Sequence, residues 1–266
     1  MSQPAIMLTS LDAARVYLLP STAPAFTEAL DAERDSALDV ILPFAVLISN
    51  DSAQEIIAYS IRWICTDTNG NIVVPEVTHF EFSSFHSAAN LLPHGSRIVS
   101  NISGLGSRGL RWETVREDAV QLVDLFRRQH SIVISLEAVV FEDGGATGPD
   151  RNHWIPQWKA YIDGDRDVYG AVSRNAPGLR GLLSGFAELG FERARPMFKD
   201  EHRDVDHLQL AANRAATYEE CYVLIRVLFA AGLLERMDRQ GEDKVIDAAR
   251  DFTRSRKFPN IHRKEF

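Results

Sequence analysis

Apolar and polar residues follow two different patterns along the chain. In the first half they alternate or form short apolar runs, which are typical of β-strands. The apolar run of residues 40–49 predicts a strand buried on both faces, and the alternation over 56–65 predicts a half-buried strand that carries Trp63 on its apolar face. Further strands are predicted at 97–103 and 131–143. The first half of the chain is therefore predicted to be rich in β-structure.

A hairpin turn is predicted immediately after the half-buried strand. Asn69 and Gly70 favour the left-handed backbone that a two-residue turn requires, so the chain reverses its direction there. The return strand is predicted from Ile72 to about Phe82, and Pro75 indicates an edge strand or a bulge, because proline cannot donate to the ladder. Strands joined by such turns run antiparallel, which is the sheet type that we predict.

Helical periodicity replaces the strand pattern in the second half. A loop rich in Gly and Asp at 143–150 precedes the change and predicts a boundary between two domains, 1–148 and 149–266. One helix, at 113–129 with a Thr-x-x-Glu capping box, is inserted into the first domain. The helices predicted in the second domain lie at 154–173, 179–191, 206–216, 218–236 and 242–256.

Composition and charge narrow the range of functions. The chain has 266 residues, of which 45% are hydrophobic, enough for a substantial core. It carries 29 basic and 37 acidic residues, a formal net charge of −8, which argues against nucleic-acid binding as its main role. No stretch reaches the roughly 18 apolar residues of a membrane helix, and no secretory signal pattern is found. We therefore expect a cytoplasmic protein without membrane insertion.

No residue is assigned a catalytic role. Cys65 and Cys221 lie far apart, each within an apolar pattern, so we expect two buried and reduced thiols rather than activated nucleophiles. The G-x-S-x-G pattern of a serine hydrolase does not occur in the sequence.

One motif is typical of a nucleotide-binding turn. Gly104, Gly106 and Gly109 have the G-x-G-x-x-G spacing that lets a backbone approach a pyrophosphate, between a predicted strand and a predicted helix. In such a site the third glycine lies in the first turn of the helix, whereas three residues intervene here. We interpret the glycines as a flexible connection and predict no cofactor, with a nucleotide-dependent enzyme as an alternative.

Metal-ligating residue types are densest at 200–207. His202, Asp204, Asp206 and His207 are the candidate ligands of a metal-dependent hydrolase, the other alternative. The HExxH pattern is absent, and acidic residues before a helix stabilise its N-terminus without a metal. No metal is therefore predicted.

A second acidic stretch mimics the start of a calcium-binding loop. Asp163, Asp165 and Asp167 have the spacing of the first ligands, but Arg174 occupies the position of the bidentate glutamate of an EF-hand. We interpret these aspartates as the solvated face of a helix.

Two stretches resemble a known group of proteins. Residues 43–63 (PFAVLISNDSAQEIIAYSIRW) and 131–150 (SIVISLEAVVFEDGGATGPD) are similar to segments of uncharacterised bacterial proteins with an immunoglobulin- or fibronectin-like β-sandwich. The resemblance covers about 40 of the 266 residues and implies a fold, not an activity. Trp63 suits such a sandwich, whereas the cysteine pair that brackets this tryptophan in antibody domains is missing.

These patterns together predict an α+β protein. An N-terminal antiparallel, immunoglobulin-like β-sandwich at 1–148 is followed by a helical region at 149–266. Because partners can extend the edges of a sandwich, we predict a non-catalytic cytoplasmic scaffold or protein-interaction module that binds a protein partner or itself. This hypothesis rests mainly on the lack of a catalytic pattern, although active sites can also assemble from residues distant in sequence.

Overall fold

The computed structural model of the chain divides it into two compact units. Unit 1 comprises Met1–Asn152 together with His262–Phe266, and unit 2 comprises His153–Ile261. The last five residues thus belong with the first unit, a return that the sequence patterns did not indicate. The residues that the structure describes are 4–32, 42–73, 77–82, 90–100, 112–174, 178–194, 217–255 and 259–266.

Two sheets and two α-helices make up the described part of unit 1. Its strands are β1 (Ala5–Thr9), β2 (Val16–Pro20), β3 (Val46–Asn50), β4 (Ile56–Thr66), β5 (Val77–Phe82), β6 (Ser96–Val99), β7 (Ser131–Phe141), β8 (Gly145–Thr147) and β9 (His262–Arg263). Its helices are α1 (Pro24–Ala32) and α2 (Trp112–Arg127), and short 3-10 helices span Asp12–Ala14 and Leu42–Phe44.

The larger sheet has a long antiparallel pair at its centre. β4 and β7 pair along almost their whole length, and β5 pairs antiparallel with the other side of β4. β8 pairs antiparallel with β7, whereas β1 pairs parallel with β7 and β9 pairs parallel with β8. The sheet is therefore mixed, and the chain is an α+β protein with mixed and antiparallel sheets.

The prediction of a purely antiparallel first domain is wrong because of β1 and β9. Hairpins fix the direction of strands that are neighbours in sequence, but β1 pairs with a strand more than a hundred residues away. Its pairing partner is therefore set by packing rather than by a turn. The hairpin itself is confirmed: Gly70 has φ of 82° in the turn, and β4 and β5 run antiparallel. Pro75 lies outside the described residues.

The smaller sheet is antiparallel and shares one hydrophobic core with the larger sheet. Its order is β2-β3-β6, and its buried residues pack in the same cluster as those of β4 and β7. Trp63 lies within this cluster, and its indole Nε1 donates to the Phe44 carbonyl at 3.1 Å. The Phe44 ring meets Phe126 of α2 edge-on, with centroids 5.2 Å apart, so α2 also closes this core.

Two details of unit 1 differ from the sequence prediction. β4 is buried on both faces from Ile56 to Ile61, so both faces of the sheet are covered along this part of the strand. The prediction that Ser60 lies on a polar, solvated face of this strand is therefore wrong, because Ser60 is fully buried. Helix α2 begins at Trp112, so the Thr-x-x-Glu pattern that starts at Thr114 falls inside the helix and does not mark its beginning.

All regular secondary structure in the described part of unit 2 is helical. Its helices are α3 (Trp154–Ser173), α4 (Leu179–Ala194), α5 (Tyr218–Gln240) and α6 (Glu242–Ser255). Thr217 caps α5, since its side chain accepts from the Glu220 amide at 3.2 Å. Gly241 ends α5 with φ of 89°. The predicted helix at 206–216 lies outside the described residues.

The helices of unit 2 are too short or too polar to cross a lipid bilayer. Within the described ranges, none combines the length and the apolar character that a membrane span requires.

Candidate functional site

Two short strands share the side of β7 that faces away from β4. β1 pairs with Ser131–Ser135, and β8 pairs with Val139 and Val140. Both must lie on the same side, because β4 occupies the other side along nearly the whole strand. The residues between them, Leu136–Ala138, are paired with neither strand. This edge of β7 is therefore interrupted in its middle.

Strand β1 is exposed on both of its faces. Ile6 is 41% exposed and Met7 is 50% exposed, and adjacent residues of a strand point to opposite faces. Only Leu8, which is partly buried, packs against the core of unit 1. β1 therefore exposes an apolar side chain on each face of the sheet, which is unusual for an edge strand.

The hydrogen-bonding phase of β1 leaves part of its backbone directed away from β7. The Ala5 amide donates to the His130 carbonyl at 3.1 Å. In a parallel ladder alternate residues bond to the neighbour, so the amide and carbonyl of Ile6 point to the outer side. No strand other than β7 pairs with β1 within the described ranges. After Thr9 the chain turns into β2, where the Leu18 amide donates to the Ser10 hydroxyl at 2.9 Å. The part of the outer edge of β1 that remains available to pair with another strand is therefore its first half.

A turn of the chain covers the gap between β1 and β8. The Asp150 amide donates to the Glu137 carbonyl at 2.8 Å, in place of a strand neighbour. Gly148 passes so close that a Cβ there would lie 2.3 Å from the Glu137 carbonyl oxygen. Gly148 also has φ of 122°, a conformation that L side chains rarely adopt, so glycine is required at this position.

The gap also holds a carboxylate with no exposure to solvent. The Glu137 side chain accepts from the Ser135 hydroxyl at 2.6 Å and from Arg151 Nη1 at 2.8 Å. Its second oxygen accepts from the Arg151 backbone amide at 3.3 Å. A buried charge needs such partners to offset its desolvation. Glu137 is therefore explained by closure of the sheet edge.

A second buried carboxylate joins the same turn to the last residues of the chain. Asp150 accepts from Arg263 Nη2 at 3.3 Å, and Arg263 Nη1 donates to the Gly148 carbonyl at 2.7 Å. The Asp150 side chain is 1% exposed. This pair fastens β9 to unit 1.

Both thiols are poor nucleophiles. Cys65 and Cys221 are free and buried, as predicted. Burial raises the pKa of Cys65 to about 11 and the pKa of Cys221 to about 12. Since the thiolate is the reactive form, both side chains are protonated and unreactive near neutral pH.

The predicted solvated helix face of α3 is confirmed for Asp167, which is exposed, but is wrong for the other two aspartates. Asp163 and Asp165 are buried. The Asp163 carboxylate accepts from Lys159 at 2.5 Å, from Arg166 at 2.6 Å and from the Tyr218 hydroxyl at 2.8 Å. Helix α5 approaches α3 closely at Gly164, where a Cβ would lie 2.9 Å from Ile225, and Tyr218 at the start of α5 reaches Asp163.

The residues of the two sequence-based site hypotheses are not among those described. Gly104, Gly106 and Gly109 fall within 101–111, and the 200–207 cluster falls within 195–216. Both hypotheses stay predictions. Elsewhere, in the ranges that the structure does describe, no group of three or more His, Cys, Asp or Glu side chains is placed to hold a metal ion.

Sequence reasoning missed the exposed edge and the buried carboxylate beside it. For Glu137 a signal was present: Val133, Val139 and Phe141 make the second face of this strand apolar too. A glutamate within a strand that is apolar on both faces needs a buried partner. For β1 the short apolar run Ala5–Leu8 was present, but nothing local indicated its pairing with β7.

Comparisons of the chain with protein-family models, with curated proteins and with solved structures find no match.

Proposed function

We propose that this chain is a non-catalytic scaffold or protein-interaction module that binds a protein partner through strand β1. The observation that carries the proposal is the exposure of β1 on both faces, with Ile6 and Met7 at 41% and 50%. Exposed apolar side chains on an edge strand favour association with a further strand. The buried carboxylates and the protonated thiols have structural explanations and support a non-catalytic role.

The partner that fits this edge is an extended segment. Its backbone would pair with the outward amide and carbonyl of Ile6, as in β-strand addition. Side chains on the two faces of the added strand would cover Ile6 and Met7, so we expect apolar residues at adjacent positions of the partner segment. The proposal thus specifies an extended apolar segment rather than a helix or a charged surface.

The proposal also covers the fold of unit 1 and the location of the protein in the cell. We infer that the two sheets of unit 1 form an immunoglobulin-like sandwich, an inference supported by their common core and by the buried Trp63 on a central strand. We also propose a cytoplasmic location, because two free buried thiols are typical of a reducing compartment.

The test compares three forms of the full chain as baits in lysate of the source organism. They are the wild type, the double variant Ile6→Lys with Met7→Lys, and the control Leu182→Lys, which places a lysine at an exposed apolar residue of α4. We expect a defined partner to bind the wild type and the control but not the β1 variant, since lysine opposes strand addition. The same proteins on all three baits, or none on any, would contradict the proposal. Circular dichroism verifies that each variant is folded.

A further inference from the structure

Residues 262–266, the return segment, begin with strand β9, which pairs with β8. The His262 amide donates to the Gly144 carbonyl at 3.0 Å, and the Lys264 amide donates to the Ala146 carbonyl at 2.8 Å. The pairing is parallel, with Gly145 opposite His262 and Ala146 opposite Arg263. The backbone of β8 therefore already binds an added strand in this structure.

Charged groups of unit 1 bind the two basic side chains of the return segment. Arg263 donates to Gly148 and Asp150 as described above. Lys264 Nζ donates to Gln54 Oε1 at 2.8 Å and to Asp143 Oδ2 at 3.1 Å. Each basic side chain thus has a carboxylate of its own, and the spacing of the carboxylates matches two consecutive basic residues.

An aromatic contact ends the segment. The Phe266 ring lies 5.7 Å from the Phe141 ring, and the Lys264 ammonium lies within 5.1 Å of the Phe266 centroid and 5.7 Å of the Phe141 centroid. Phe266 is nevertheless 52% exposed. The surface formed by β8, Gln54, Phe141, Asp143 and Asp150, hereafter the β8 groove, thus fits an extended sequence of the form Arg-Lys-x-Phe.

The floor of the β8 groove is a glycine. A Cβ on Gly145 would lie 2.6 Å from Lys264 Cδ and 2.9 Å from Asp143 Oδ1. The return segment therefore passes directly over Gly145, where any side chain would have to displace those of Lys264 and Asp143. Because Gly145 does not have a positive φ, a larger residue there would block the groove without straining the backbone.

We propose that the β8 groove also binds the return segment of a second copy of this chain, so that two chains exchange their segments and form a reciprocal dimer. The contacts described above join residues 262–266 to unit 1 only, so a segment from a second chain can make each of them identically. An exchange that replaces contacts by identical ones costs little, and its extent is set by protein concentration. The proposal is independent of partner binding at β1, which lies elsewhere along β7.

A peptide-binding experiment tests the groove on the full chain. The variant Arg263→Asp places a carboxylate against Asp150 and so expels its own segment. A labelled peptide of residues 259–266, PNIHRKEF, is titrated into this variant and into the wild type, with fluorescence anisotropy as the readout. We expect binding to the variant to be at least about tenfold tighter, because the wild-type segment competes within its own chain.

Two controls assign the binding to the groove. The double variant Arg263→Asp with Gly145→Leu is expected not to bind the peptide, and a peptide with Asp at 263 and Ala at 266 is expected not to bind either protein. Failure of the folded Arg263→Asp variant to bind PNIHRKEF overturns the proposal. If this variant does not fold, Lys264→Asp opens the same groove and is judged by the same criterion.

Light scattering after size-exclusion chromatography tests the second copy as occupant. We expect the wild-type dimer fraction to rise with protein concentration, and Gly145→Leu to remain monomeric at every concentration. The β1 variant Ile6→Lys with Met7→Lys should dimerise like the wild type, which separates this proposal from the proposed function. A wild type that stays monomeric up to millimolar concentration, even if it binds the peptide, overturns the exchange.

Discussion

Removal of the Arg151 side chain tests whether Glu137 is a structural charge. The variant Arg151→Ala deletes the 2.8 Å ion pair but keeps the Ser135 hydroxyl and the backbone amide as donors to the carboxylate. Loss of one partner of a buried pair costs roughly 3–5 kcal/mol. Arg151 is itself 58% exposed, so its interaction with Glu137 is partly screened by solvent. We therefore expect a loss of about 2–3 kcal/mol in the free energy of unfolding.

Chemical denaturation followed by circular dichroism measures this loss, and thermal unfolding gives a second estimate. For a unit of this size, the expected change lowers the melting temperature by roughly 4–12 °C. The matched control is Arg127→Ala in the same unit, whose ion pair with Asp124 is 3.6 Å long and exposed on both sides. The control is expected to change the unfolding free energy by less than about 0.5 kcal/mol.

A double-mutant cycle completes the test. Glu137→Gln removes the charge, so Arg151→Ala in that background should cost much less than it does in the wild type. The account of Glu137 as a buried charge held by Arg151 would be refuted if Arg151→Ala lowered the unfolding free energy equally in the wild type and in Glu137→Gln. It would also be refuted if Arg151→Ala lowered that free energy no more than Arg127→Ala does.

Three further predictions concern Gly148, the two buried thiols and Asp143. Gly148→Ala should destabilise unit 1 by about 3 kcal/mol or more, because the new Cβ meets the Glu137 carbonyl and φ at this position is positive. As a control, Gly181→Ala in α4 places a Cβ with no atom within 4 Å and should stabilise the protein by about 1 kcal/mol. Urea unfolding measures both changes. Cys65 and Cys221 should react with a thiol reagent at pH 8 only after unfolding, because burial raises their pKa to about 11 and about 12, and rapid labelling of the folded chain would contradict this. The pKa of Asp143 is lowered from 3.8 to about 2, first by the Gln54 side chain and also by the Gly145 amide and Lys264. Because its folded pKa lies below its unfolded pKa, Asp143 contributes to stability above pH 4, and this contribution is lost as the pH falls towards 2. Asp143→Asn should therefore abolish that part of the pH dependence of the unfolding free energy.

Local patterns predicted much of the secondary structure. The Asn69-Gly70 turn fixes β4 and β5 as an antiparallel pair, because the turn geometry and the alternation of side chains act over a few residues. Helices α3 and α5 follow from helical periodicity, and Thr217 marks the start of α5. These features depend on interactions between residues close in the sequence, which is why the sequence alone indicates them.

Long-range packing accounts for what the sequence did not indicate. β1 pairs in parallel with a strand far along the chain, and β9 returns to β8 after the whole of unit 2. The buried Asp163 accepts from Tyr218 of α5, a contact between two helices. The proposed site combines such contacts, so β1 could be found as an apolar run but not as an exposed sheet edge.

Amide hydrogen exchange of β1, followed by NMR with and without the captured partner, tests the proposed interaction most directly. In the free protein we expect the Ile6 amide to exchange rapidly, since it points away from β7, and the Met7 amide to be protected by the ladder. On binding, the Ile6 amide should become protected while Met7 stays unchanged. A bound partner that leaves the Ile6 amide in rapid exchange would contradict strand addition at β1.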